Sequence, residues 1–77
     1  MRVTTDEMEI RGKEQKTSKS GNEYIVVRAE DETGLTYELC DKNVANFDKY
    51  TKGKTCRLVL EITMGKFTNI EIKNILD

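Results

Sequence analysis

Two cysteines and a short run of acids are the side chains whose types suggest chemistry. Cys40 and Cys56 are the two thiols of a chain that has no histidine. A cysteine nucleophile usually has a histidine base, and a structural zinc site needs four ligands, so the pair supports neither. The run Glu30-Asp31-Glu32 lacks the spaced oxygen ligands of a calcium loop. We therefore expect a non-enzymatic protein with no metal and no cofactor.

Cations collect in two stretches, although the formal net charge is −1. A nearly neutral total gives no compositional argument for nucleic-acid binding. The uneven distribution still leaves two basic stretches that could meet phosphates or could be ordinary solvated strand faces and loop tips. The first holds Arg11, Lys13, Lys16 and Lys19, and the second holds Lys49, Lys52, Lys54, Arg57 and Lys66.

Length and composition predict one small globular domain. A chain of 77 residues cannot support two separate cores. The sequence has no apolar stretch long enough to span a membrane, and its first residues lack the apolar core of a signal peptide. Two widely separated cysteines do not form the disulfide framework of a small secreted domain. We expect a single cytoplasmic domain over residues 1–77 that does not contact a membrane.

Alternation of apolar and polar side chains predicts five strands. The first contains Met8 and Ile10 and reaches Gly12, a natural position for a β-bulge. The others cover residues 24–30, 35–40, 55–64 and 67–75. The side chains expected to face inward are Met8, Ile10, Ile25, Val27, Ala29, Leu35, Tyr37, Leu39, Cys56, Leu58, Leu60, Ile62, Met64, Ile70 and Ile72.

Turns and one short helix connect these strands. Asp31 and Gly34 occupy the first and fourth positions of a type I turn that closes with a glycine bulge. Between the third and fourth strands Val44 and Phe47 recur at helical spacing, followed by Tyr50 or Thr51. Asp41 or Asn43 is expected to cap this helix, and Gly53 is expected to end it. At two to three turns, the helix must be held by docking Val44 and Phe47 on the sheet.

The order β-β-β-α-β-β favours a closed barrel. An open five-stranded sheet with one short helix would leave two edges unpaired and much of its apolar face wet. Closure removes both problems, and a helix between the third and fourth strands can plug one end of the barrel. We therefore predict an all-β, five-stranded Greek-key barrel of the OB type.

The sequence resembles, over nearly its whole length, the OB-fold proteins that bind single strands, particularly the single-strand DNA-binding proteins of bacteria and their phages. Three segments carry the resemblance: Ser20-Gly21-Asn22-Glu23-Tyr24, Asp31-Glu32-Thr33-Gly34 and Lys52-Gly53-Lys54. The resemblance implies that single-stranded nucleic acid, DNA more than RNA, crosses the outer face of strands two and three. The loops between strands one and two and between strands four and five would flank it.

Strand parity then identifies the candidate binding residues. If Ile25 and Val27 point inward, Tyr24 and Arg28 point outward, where a ring can stack on a base and a guanidinium can meet a phosphate. We expect the first basic stretch to be a flexible arm beside this face, and Lys66 and Phe67 to emerge from the last loop. The predicted nucleic-acid-binding set is Arg11, Lys13, Lys16, Lys19, Tyr24, Arg28, Lys66 and Phe67.

Each of these residues also has a purely structural interpretation. Tyr24 could pack across strands, Phe67 could enter the core through a bulge, and the lysines could belong to a solvated hairpin. The alternative function is a protein-interaction or self-associating barrel that binds no nucleic acid. Such a module would present an exposed strand edge or the acidic region between Glu30 and Asp41.

Overall fold

Six strands and one 3₁₀ helix follow one another in the computed structural model, which describes residues 1–76. The 3₁₀ helix, Val44–Lys49, lies between the fourth and fifth strands. The strands are β1 (Arg2–Thr4), β2 (Met8–Thr17), β3 (Glu23–Glu30), β4 (Thr36–Asp41), β5 (Thr55–Thr63) and β6 (Asn69–Leu76).

The sheet closes on itself to form the predicted barrel. β2, β3 and β4 pair in antiparallel order, β4 pairs in parallel with β6 through Cys40 and Glu71, and β6 pairs with β5. β5 completes the ring by pairing with β2 at Met8 and Glu9. The result is an all-β barrel of the OB type, as predicted, with the helix between the third and fourth barrel strands.

β1 is the element that the sequence pattern misses. Its three residues pair with the same edge of β5 as β2 does, so β1 and β2 together form one barrel strand interrupted at residues 5–7. Thr5 bridges the interruption: its amide donates to the Leu58 carbonyl at 2.9 Å, and its hydroxyl accepts from the Leu58 amide at 3.0 Å. A strand this short, with its first and last residues exposed, shows no diagnostic alternation.

The barrel interior holds most of the side chains predicted to face inward. The buried members are Met8, Ile10, Ile25, Val27, Ala29, Leu39, Cys56, Leu58, Leu60 and Ile72, joined by Tyr50. Four of the predicted inward side chains are exposed instead: Leu35, Tyr37, Met64 and Ile70. Leu35 and Met64 lie in loops just outside β4 and β5, while Tyr37 and Ile70 lie near the starts of their strands at the barrel rim. No described element covers this end of the barrel, so its apolar side chains meet solvent.

The predicted helix is shorter and more tightly wound than expected. It is a 3₁₀ helix of six residues, with the Asn43 side chain accepting from the Ala45 amide at its start. Val44 and Phe47 pack against the core, as predicted. The helix ends at Lys49 rather than at Gly53, and Tyr50 caps it, with its side chain turned into the core and fully buried. Gly53, with φ of 88°, belongs instead to the turn into β5.

Two predicted backbone irregularities are confirmed. The strand pairing of β2 and β3 shifts between Ile10 and Gly12, which is the expected bulge. The Gly34 amide donates to the Asp31 carbonyl at 3.1 Å, and Gly34 has φ of 88°, as the predicted turn requires. Among the described residues, no helix is long and apolar enough to cross a membrane.

Candidate nucleic-acid interface

The outer faces of β3 and β4 form the floor of the candidate interface. Directly opposed residues of an antiparallel pair project to the same face, and the register pairs Val26 with Cys40 and Arg28 with Glu38. Since Ile25 and Val27 are buried, Tyr24, Val26 and Arg28 project to the outside, as strand parity predicts. The Tyr24 ring is half-buried against the sheet, and Arg28 is exposed.

Two surface depressions adjoin on this floor. The first, about 480 Å³ in volume, lies toward the β2–β3 hairpin loop (residues 18–22), and the second, about 320 Å³, lies toward the β5–β6 loop (residues 64–68). Cys40 lines both, so the two depressions lie side by side at this residue. We call them together the groove. Its lining residues are Ser18, Asn22, Glu23, Tyr24, Val26, Glu38, Leu39, Cys40, Lys42, Thr68, Asn69 and Ile70.

Four of the predicted residues border the two ends of this groove. Lys16 stands opposite Tyr24 on the outer face, and Lys19 lies in the β2–β3 loop. Lys66 and Phe67 lie in the β5–β6 loop next to Thr68, with the Lys66 Nζ 5.9 Å from the centre of the Phe67 ring. Phe67 is 80% exposed, so its alternative placement in the core is wrong.

Arg11 and Lys13 lie elsewhere, and the expected flexible arm is an ordered strand. β2 runs to Thr17, because its polar second half pairs with β3 as far as Glu23. The Arg11 guanidinium lies 2.7 Å from Glu9 and 3.6 Å from Glu30. The Lys13 Nζ donates to the Phe47 carbonyl at 2.7 Å and sits 4.1 Å from the centre of the Phe47 ring. Neither cation lines the groove.

Sequence reasoning missed Lys42 as a groove residue. Lys42 immediately follows β4, and its Nζ lies 3.4 Å from the Glu71 carboxylate. The Lys73 ammonium, followed by Lys42, lowers the pKa of Glu71 despite some desolvation, so this carboxylate is ionised at neutral pH. Continuing the alternation of the third predicted strand past Cys40 by two residues would have placed Lys42 on the outer face.

The middle of the groove holds one cation and two carboxylates, because Glu14 on β2 lies opposite Val26 on the same face as Arg28 and Glu38. Arg28 faces Glu38 across the two strands, and its guanidinium lies over Gly12, where an added Cβ would approach the terminal nitrogen to 2.7 Å. Lysines stand at the ends of the groove: Lys16 and Lys19 on the β2–β3 hairpin, and Lys66 on the β5–β6 loop. A linear polyanion crossing the groove would meet positive charge where it enters and where it leaves.

The Cys40 side chain is part of the groove floor and is not expected to be reactive. Burial, and after it the Glu71 carboxylate, raises the pKa of this thiol, so Cys40 is protonated at neutral pH. A protonated thiol is a small apolar contact and a poor nucleophile. Within residues 1–76, no three histidine, cysteine or acidic side chains are grouped so that they could hold a metal ion.

Comparison with known proteins adds no relative. No protein-family model, curated protein or solved structure matches the chain. The fold and the groove are therefore the features from which a function must be argued.

Proposed function

We propose that the protein binds single-stranded nucleic acid along the groove, without catalysis and with little sequence preference. The observation that carries the proposal is the groove itself. It crosses β3 and β4 and has the outward-facing Tyr24 ring on its floor, with Lys42 in its lining at one end and Lys66 two residues from its lining residue Thr68 at the other. This is the arrangement by which OB barrels bind extended single strands. Two widely separated cysteines in the sequence fit the reducing environment of the cytoplasm, where we place this activity.

Stacking is the main attractive interaction in this proposal. Tyr24 offers a ring that the sheet holds in place, and Phe67 offers a second ring on the β5–β6 loop. Every base has a face that can stack, and such contacts contribute about 1–3 kcal/mol per base. Because stacking does not read base edges, it accounts for the low sequence preference. We favour DNA over RNA as the ligand only because the sequence resembles single-strand DNA-binding proteins.

Lysines at the groove ends supply the contacts to phosphates. Lys16, Lys19 and Lys66 are exposed, and Lys42 is exposed beside its contact with Glu71. Each phosphate neutralised on a single strand contributes about −0.7 to the slope of log K against log salt. Three or four such contacts give a slope of about −2 to −3.

The test is a fluorescence-anisotropy titration with labelled oligo-thymidine and oligo-uridine at several salt concentrations. We expect binding that weakens with salt along the slope above. Tyr24→Ala should weaken binding by roughly 5- to 150-fold, the equivalent of one lost stacking contact. Lys66→Ala should reduce the steepness of the salt dependence.

Matched controls come from the part of the barrel away from the groove. Tyr37→Ala removes an exposed tyrosine that does not line the groove, and Lys52→Ala removes an exposed lysine beyond the 3₁₀ helix. Both should leave affinity within about twofold of the wild type, apart from the small electrostatic effect of one charge. Absence of binding at low salt with tens of micromolar protein would refute the proposal, as would equal losses for Tyr24→Ala and Tyr37→Ala.

A further inference from the structure

The barrel has an open end that no described element fills. A cavity of about 240 Å³ lies there, opposite the end that the 3₁₀ helix plugs. Its deep wall is made by the buried side chains of Met8, Leu39 and Leu60, and Ile70 and Tyr37 stand at its edge. We call this the open-end cavity.

The rim of the open-end cavity is acidic. Asp6 and Asp31 line it, and neighbouring Glu7 and Glu32 are exposed. Hydrogen bonding, first from the Thr33 side chain, lowers the pKa of Asp31, so its carboxylate is charged at neutral pH. No cation lines the cavity among the described residues, and Arg2 and Arg11 are engaged by other acids: Arg2 contacts Glu61 at 3.3 Å, and Arg11 contacts Glu9 and Glu30. The occupant that matches this cavity is an apolar group with a positive charge beside it.

The size of the cavity favours a side chain over a small molecule. Pockets for drug-sized ligands have volumes of about 300–1,000 Å³. A cavity of about 240 Å³ with an apolar interior is smaller than this range and can receive one large apolar side chain.

The complementary group is present in the same chain. The β5–β6 loop carries Met64, which is 67% exposed, and Phe67, which is 80% exposed, with Lys66 between them. Its high exposure shows that Phe67 does not occupy the cavity of its own chain. An exposed aromatic side chain next to a lysine offers an apolar group that can fill the cavity and a positive charge that can face its acidic rim.

We propose that a second copy of this chain docks its β5–β6 loop in the open-end cavity, with Phe67 inserted and Lys66 facing the acidic rim. Loop and cavity lie at the same end of the molecule, since Ile70 of the cavity edge is only three residues from Phe67. A two-fold arrangement therefore lets each chain give its loop and receive that of its partner, which closes the assembly at two copies. One loop and one small cavity from each chain make a limited contact, and interfaces at the small end of the size range are weak, so we expect the dimer to form reversibly.

Lys66 and Phe67 also belong to the candidate interface, so the dimer is tested without nucleic acid, where its failure is distinguishable from failure of the proposed function. Backbone amide NMR spectra are recorded between about 20 μM and 1 mM protein, with sedimentation equilibrium on the same samples. We expect concentration-dependent shifts in two places, the β5–β6 loop and the lining of the open-end cavity, that fit one monomer–dimer equilibrium. A monomer throughout this range would overturn the proposal.

Charge exchange tests the pairing directly. Lys66→Glu and Asp6→Lys should each weaken dimerisation at least several-fold, and the double variant should recover most of the wild-type affinity, because the two charges are exchanged across the contact. Failure of the double variant to recover more affinity than either single variant would overturn the assignment of Lys66 to this rim.

Phe67→Ala tests the inserted ring, and Leu76→Ala is the control. Leu76 is another exposed apolar side chain, but it lies at the far end of β6. We expect Phe67→Ala to weaken dimerisation at least tenfold and Leu76→Ala to change it less than twofold. Equal effects of the two substitutions would overturn the proposal. Both positions are exposed, so both variants are expected to fold.

Discussion

The two ends of the barrel are built in opposite ways. At the plugged end, Val44 and Phe47 of the 3₁₀ helix pack on the core, and Tyr50 is completely buried. At the open end, Tyr37 and Ile70 remain partly in solvent, and a cavity reaches down to Met8. We therefore expect the plugged end to contribute more to stability, whereas exposed apolar surface that can contact another molecule is concentrated at the open end.

The same pair of residues, a tyrosine and an aspartate, occurs at each end. The Tyr50 hydroxyl donates to Asp41 inside the barrel, where Asp41 also accepts from the Asn46 amide at 2.9 Å and the Asn43 backbone at 2.8 Å. The Tyr37 hydroxyl donates to Asp31 at 2.8 Å in contact with solvent. We therefore expect burial, and not the identity of the pair, to decide how much each hydrogen bond contributes to the free energy of unfolding.

Removing the two aspartates should give the largest contrast. Asp41→Ala leaves the buried Tyr50 hydroxyl without its acceptor and removes two further hydrogen bonds, so the free energy of unfolding should fall by about 3 kcal/mol. Small domains have little stability to lose, and a loss of this size removes a large part of it. Urea denaturation followed by circular dichroism measures the change.

Asp31→Ala is the matched variant at the open end. Its carboxylate is solvent-accessible and its partners can bond to water instead, so the loss should be clearly smaller than for Asp41→Ala. If the two variants lost similar stability, the contrast between the ends would be wrong.

Removing only the hydroxyl groups should give a smaller version of the same contrast. Tyr50→Phe leaves the buried Asp41 one donor short, and we expect a loss of about 1–3 kcal/mol at pH 7. Tyr37→Phe should be indistinguishable from the wild type. Thermal and urea unfolding of both variants at pH 7 provide the comparison.

The pH dependence of the Tyr50→Phe difference gives an independent check. Burial, reinforced by the hydrogen bond to Asp41, raises the pKa of Tyr50 far above the value of about 10 for a free tyrosine. Above pH 10 the unfolded chain therefore loses this proton while the folded chain keeps it, and the wild type becomes less stable as pH rises. Tyr50→Phe lacks this effect, so the gap between the two proteins should narrow above pH 10. A constant gap would show that Tyr50 ionises at its ordinary pH.

The plugged end illustrates how far the sequence could predict the fold. Val44 and Phe47 were correctly assigned to the docked face, but a spacing of three residues is compatible with both an α-helix and a 3₁₀ helix. The sequence pattern makes Asp41 a candidate helix cap. Its actual role as the acceptor for Tyr50 depends on a contact between residues nine positions apart, which no periodic pattern encodes.

The open end shows a different limit. Period-two alternation correctly gave the face on which Leu39 and Tyr37 lie, but it does not tell how far a strand extends beyond the covered core. Exposed Tyr37 and Ile70 therefore looked like core residues. Strand parity correctly predicts that Tyr24 and Arg28 face outward, where the groove lies. It does not predict where β2 ends, because pairing with β3, and not hydrophobicity, extends β2 to Thr17.

Two glycines, one near each end of the barrel, should respond equally to substitution. Gly53 near the plugged end and Gly34 at the open end both have φ of 88°, and an added Cβ would meet no atom within 4 Å at either position. Alanine in this conformation costs about 1 kcal/mol, whatever the surroundings, because the strain is local to the residue. Gly53→Ala and Gly34→Ala should therefore lower the free energy of unfolding by the same amount in urea denaturation. If Gly34→Ala lowered the free energy of unfolding much less than Gly53→Ala, the hairpin at the open end would be relaxing around the substitution. The small effects of the Asp31 and Tyr37 variants would then reflect a deformable hairpin rather than exposure to solvent.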